Sequence, residues 1–216
     1  MCSVKKFKAF VFDMDGLIFD SERIVQRSWN MAGQELGLGN VGEHIYNTIG
    51  MNRASRHKYY RENIREDFPF EEFQGLTRKY FFEIVEQEGL PMKKGVIEIL
   101  EFAKEHHIKI ALATSSSRDY AMKCLNDAGI ADYFDGIVCG DMVKNSKPDP
   151  EIYLRACEQV GIVPEEALAF EDAPAGICAA SAAGMQVVMV PDLVQPTEEI
   201  EELLWGKWDS LEGFQN

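Results

Sequence analysis

Disulfide chemistry has little to work with in this chain. Its five cysteines, Cys2, Cys124, Cys139, Cys157 and Cys178, are odd in number, and no two stand in C-x-x-C spacing. That fits reduced thiols in a cytoplasm better than a disulfide framework or a zinc site. Histidine is scarce too: His44, His57, His106 and His107 lack H-x-x-x-H spacing and read as solvated or structural. No long apolar run is present. The basic start, Met1 to Lys8, leads into a short one that meets Asp13 at once, which is neither a signal peptide nor a membrane span. Internal repeats, low-complexity tracts and long linkers are also missing. Positive charge is in deficit, with 22 Lys and Arg against 36 Asp and Glu and a net charge of -14. This argues against nucleic acid or an anionic membrane surface as partner. It also means that a site for phosphate must invert the field locally, with a metal ion, a lysine or backbone amides.

What is present is an ordinary soluble composition, 46% hydrophobic and 27% charged over 216 residues, enough for one large domain or a domain carrying a smaller one. Ala9-Phe10-Val11-Phe12 is a short buried run that reads as a parallel-sheet strand, and Asp13-Met14-Asp15-Gly16 follows it. A helix is expected from Glu22 to about Leu36. Gly37 to Gly42 matches G-x-G-x-x-G, but it follows a helix instead of a strand, so it reads as a helix stop and loop. Residues 41 to 90 look wholly helical, in pieces over 44–49, 53–66 and 71–88. From Met92 onward, helices alternate with strands expected at 108–113, 136–139, 167–170 and 186–190. The tail, 196–204, reads as an acidic helix. This alternation predicts an α/β fold, a doubly wound parallel sheet (a Rossmann-like core) with an inserted all-helical cap domain. The expected division is 1–17 and 92–216 for the core and 18–91 for the cap, read as a lid over the site.

Polar clusters then fall at successive strand ends: Asp13 and Asp15, Thr114 and Ser115, Lys147, and Glu171 with Asp172. In open parallel sheets, ligands collect beyond those ends. The set suits phosphoryl transfer. Asp13 can attack phosphorus. Asp13, the Asp15 main-chain carbonyl and Asp172 can bind Mg²⁺, with Glu171 acting through water or as a supporting partner. The ion and Lys147 offset charge on the phosphoryl group. Thr114, Ser115 and amides at the start of the next helix can hold phosphate oxygens. Asp15 can protonate the leaving alcohol and then activate water. The plainer alternatives are turn-forming aspartates, a serine-rich helix cap and a surface lysine before two prolines.

Asp13-Met14-Asp15-Gly16, Thr114-Ser115, Lys147-Pro148 and Glu171-Asp172 resemble the four ordered motifs of the haloacid dehalogenase superfamily. The helical insertion, entered through Phe19-Asp20-Ser21-Glu22, resembles its β-phosphoglucomutase-like phosphatase branch. The resemblance implies a Mg²⁺-dependent phosphoric monoester hydrolase with Asp13 as nucleophile and Asp15 as acid/base. It also implies that the cap selects a small phosphorylated substrate, with Gly50 and Arg53 as contacts. Val25 and Ile49 stand where the mutase carries a cap histidine and lysine, which favours water as final acceptor over isomerisation. Ala173 stands where relatives have serine. A phosphomutase, or a non-catalytic phosphate-binding or signalling module, are the alternatives. Nothing in the sequence demands more than a monomer.

Overall fold

The computed structural model describes residues 4–48 and 53–215. The chain divides into two compact units, Met1–Phe19 with Met92–Asn216, and Asp20–Pro91. The first unit is built on β1 (Ala9–Phe12), β2 (Lys109–Thr114), β3 (Gly136–Cys139), β4 (Ala167–Glu171), β5 (Gln186–Met189) and β6 (Gly206–Lys207). All neighbouring strands pair in parallel, in the order β3-β2-β1-β4-β5-β6. The strand order reverses between β1 and β4, which is where doubly wound sheets bind their ligands.

The strands read as continuous apolar runs because both faces are covered. On one face Ala9 and Val11 of β1 join Ala111, Ala113, Ala169 and Val187 in a core closed by α6 (Glu151–Val160) and α7 (Pro174–Ala182). The small residues let those helices approach closely. The opposite face is aromatic: Phe12 stacks on Phe170 with ring centroids 4.8 Å apart, and Phe10 stacks on Phe102 of α4 (Val96–Glu105) at 6.5 Å. Each wholly buried phenylalanine there contributes about 1.5–3 kcal/mol from burial. Trp208, on the segment after β6, packs against Phe170 at 5.6 Å.

The tail differs from expectation. Its helix is only α8 (Glu198–Glu201), and the chain then runs back as β6 beside β5. Trp205 and Trp208 donate their amides to Val187 and Met189, so tertiary pairing overrides a weak local helical signal. A two-residue strand leaves no periodicity to read.

The second unit, among the described residues, contains only helices. These are α1 (Ser21–Glu35), α2 (Arg53–Asn63) and α3 (Phe70–Glu88), with a 3₁₀ stretch over Gly42–Asn47 where an α-helical piece was expected at 44–49. α1 and α3 pack together around Trp29, Tyr60, Phe68 and Phe73, whose rings meet edge to face at 5.0–5.9 Å in four of the pairs. The Asp20 amide donates to the Pro91 carbonyl at 2.9 Å and ties the two ends of the insertion. The glycine-rich stretch after α1 is a loop, with Gly37 and Gly39 at positive φ, as its context predicts. The first segment of the core runs on to Phe19, which bridges both Asp15 and Met92, so the compact-unit border falls two residues beyond the expected one.

Candidate active site

Because every strand is parallel, their carboxyl ends lie along one edge, and the residues after β1, β2 and β4 are brought together there. The Asp13 amide extends the ladder by donating to the Phe170 carbonyl at 3.0 Å, which fixes the first aspartate at the switch point. Gly16 turns the chain away at φ 84°, and an added Cβ would collide with the Asp172 carboxylate. Glycine is therefore required on two counts, a left-handed backbone and a close approach.

Lys147 comes from the loop between β3 and α6. That loop is braced by Glu151, whose carboxylate accepts the Lys144 and Asn145 amides at 3.0 Å each. Arg155 donates to the Met142 carbonyl at 2.6 Å from the same helix. So held, the Lys147 ammonium lies 2.5 Å from Asp13 Oδ1 and 2.6 Å from Glu171 Oε1, with its side chain 8% exposed. Burial alone would lower its pKa, but the Asp13 and Glu171 carboxylates outweigh burial and hold it above its ordinary value.

Glu171 is buried and fully engaged. Its Oε1 also accepts the Tyr153 hydroxyl, and Oε2 faces the Asp172 and Ala173 amides at 3.2 and 3.5 Å. The carboxylate rests on Gly176 of α7, where an added Cβ would overlap it. Oxygen atoms of Asp13, Glu171 and Asp172 all lie within 4.8 Å of one another. Three carboxylates against one ammonium leave an excess of two negative charges if all are ionised, and buried charge without a partner is costly. Burial accordingly pushes the Asp13 carboxyl up to about 7, against the pull of Lys147. A cluster of hard oxygen donors short of positive charge fits a divalent cation such as Mg²⁺.

Thr114 is buried at the end of β2, and its Oγ1 accepts the Ser116 amide at 3.0 Å, leaving the hydroxyl proton to donate. Ser115 is exposed at the same edge. The Ser116 hydroxyl donates to Asp15 Oδ2 at 2.7 Å. Of the amides expected at the start of the next helix, that of Arg118, in α5 (Arg118–Asp127), donates to the Asp141 carboxylate at 3.1 Å. Gly50 and Ile49 lie outside the described residues, and Arg53 opens α2 with its side chain outside the description.

Sequence reasoning missed Ser116, Tyr153 and Gly176. Ser116 reads as a helix-cap serine, and Tyr153 falls on the apolar face of α6 with Ile152 and Ala156. A wholly buried tyrosine must place its hydroxyl on a partner, and that was the available signal. Burial and the Glu171 charge hold the Tyr153 hydroxyl well above its usual pKa, so it stays a donor.

A model of the family described as haloacid dehalogenase-like hydrolase matches residues 10–190. The chain is 36% identical over 199 residues to YhcW of Bacillus subtilis strain 168, covering 90% of this chain and 88% of that protein. It is 33% identical over 183 residues to the phosphorylated carbohydrates phosphatase of Thermotoga maritima, covering 83% and 82%. Among solved structures, the β-phosphoglucomutase of Clostridium difficile superposes with a TM-score of 0.73 at 27% identity, covering 96% of this chain and 92% of that one. Among the described residues, no helix is long and apolar enough to cross a membrane.

Proposed function

That the chain belongs to the haloacid dehalogenase-like hydrolase family is the premise from which we propose that it is a Mg²⁺-dependent phosphatase of a small phosphorylated metabolite, working through an aspartyl-phosphate. The observation that carries this reading is the Lys147 ammonium bridging Asp13 and Glu171, with the Asp172 carboxylate in reach of the same point. Asp13, Asp172 and the Asp15 main-chain carbonyl are the residues that would hold the ion, which when bound supplies positive charge to the transferring phosphoryl group.

The chain's own residues do the rest. An Asp13 carboxylate oxygen attacks phosphorus, the bond to the leaving alcohol breaks, and Asp15 gives that oxygen its proton. Asp15 then takes a proton from water, the water oxygen attacks phosphorus, and the bond to Asp13 breaks to release phosphate. Lys147 and Thr114 hold the phosphoryl oxygens as charge moves. Ser116 holds Asp15 in place through its 2.7 Å hydrogen bond. The substrate class favoured is a sugar phosphate, on the strength of the Thermotoga maritima relative named for phosphorylated carbohydrates. Discrimination among such substrates is assigned to the helical insertion, through Gly50 and Arg53.

The test is phosphate release from a panel of phosphorylated sugars with Mg²⁺ or with chelator, with products identified. Free phosphate that disappears on chelation supports the reading. A phosphorylated isomer as product would instead make the protein a mutase, and no turnover at all would make it a binding module.

A further inference from the structure

Glu171 is within metal-ligand reach of Asp13 and Asp172, yet its oxygens are already taken. Of its four donors, two are long contacts from the following amides, and Lys147 is shared with Asp13. Tyr153 has a single hydroxyl proton and gives it to Glu171 Oε1. The tyrosine is 0% exposed, so water has no ready path to replace that donor. Its ring also faces the Lys147 ammonium, 5.0 Å from the ring centroid. Tyr153 thus touches both members of the pair that borders the candidate ion site.

Resting on the phosphatase reading above, we propose that Tyr153 is a positioning residue whose hydroxyl keeps Glu171 beside Lys147 and out of direct coordination to the metal. The restraint has a chemical purpose. Mg²⁺ demands six near-octahedral positions and keeps several for water and phosphate. A third carboxylate on the ion would take one of those positions and reduce the positive charge left for the substrate. A carboxylate held a short distance away still anchors Lys147 without that cost.

Tyr153→Phe removes one oxygen from a buried ring and keeps its shape. Mg²⁺ and Ca²⁺ affinities are measured by titration calorimetry without substrate, alongside phosphate release. With Oε1 released from its second donor, Glu171 joins the ion, so Mg²⁺ binding tightens about tenfold, since affinity follows ligand charge and count. Ca²⁺, which accepts more ligands, gains more than Mg²⁺. Phosphate release slows at the same time. General structural damage would weaken binding and turnover together, so unchanged or weaker Mg²⁺ binding overturns the proposal. In Tyr153→Phe/Glu171→Gln the gain must vanish, and a gain that survives also overturns it. Should Tyr153→Phe not fold, Glu171→Gln alone decides. A partner outside the coordination sphere costs at most about 100-fold in affinity, so a larger loss refutes the assignment. Because metal binding is read without turnover, tight Mg²⁺ binding with no phosphate release would defeat the phosphatase reading alone.

Discussion

Replacing Lys147 by methionine tests the electrostatic balance of the site without touching an acid. In the native protein one ammonium lies between Asp13 and Glu171, whose side chains are 10% and 1% exposed. Methionine fills similar volume and removes the charge, leaving two buried carboxylates facing each other. Breaking a buried ion pair from one side costs about 3–5 kcal/mol. For a chain of this size each kcal/mol is worth about 2–4 °C in Tm, so in EDTA the variant melts roughly 6–20 °C below wild type. A divalent cation held by Asp13 and Asp172 beside them offsets much of that loss. At one hundred times its dissociation constant, a ligand adds about 2.7 kcal/mol. Lys147→Met is therefore expected to gain more from Mg²⁺ than wild type does. Scanning calorimetry in EDTA and in Mg²⁺ reads both effects and separates the two compact units if they melt apart. A variant that melts within about 1 °C of wild type in EDTA would refute the reasoning, because the carboxylates would then not depend on the ammonium.

Three further substitutions probe neighbouring parts of the site. Ser116→Ala removes the donor that holds Asp15, and turnover of an alkyl phosphate should fall about tenfold, the worth of a hydrogen bond to a charged group. A nitrophenyl phosphate, whose leaving group needs little protonation, should lose less, because only water activation still relies on Asp15, and a larger loss on it than on the alkyl phosphate would rule out a role through Asp15. Gly176→Ala pushes a methyl into the Glu171 carboxylate. It should cost about 1–3 kcal/mol in denaturant melts and slow phosphate release; wild-type behaviour in both would mean that Glu171 has room to move. Gly16→Ala meets both a positive φ and the Asp172 carboxylate, so Mg²⁺ affinity measured by calorimetry should drop about tenfold or more. An unchanged affinity would remove Asp172 from the proposed ion site.

Much of the core was legible because its signals are local and redundant. Gly136–Cys139 is a strand at its expected bounds, and the other central strands begin within one residue of expectation. Each is a mostly apolar run buried on both faces, and β1, β2 and β4 give way to polar residues at Asp13, Thr114 and Glu171. The parallel topology then forces Asp13, Lys147, Glu171 and Asp172 to one edge, where Lys147 pairs with Asp13 and Glu171 and oxygens of the three carboxylates lie within 4.8 Å of one another. What escaped the sequence depends on three-dimensional closeness without periodicity. Ser116 lies 101 positions from Asp15, Tyr153 lies 18 from Glu171, and Gly176 matters only because α7 passes under a carboxylate. β6 is defined by its neighbour β5 and by little in its own two residues.

The central claim is that Asp13 carries the phosphoryl group. An acid-quenched reaction with phosphorylated substrate and Mg²⁺, digested and analysed by mass spectrometry, tests it most directly. Wild-type protein should yield a phosphorylated peptide containing Asp13, labile to hydroxylamine and missing from Asp13→Asn. Rapid phosphate release with no such adduct, or full turnover by Asp13→Asn, would contradict it.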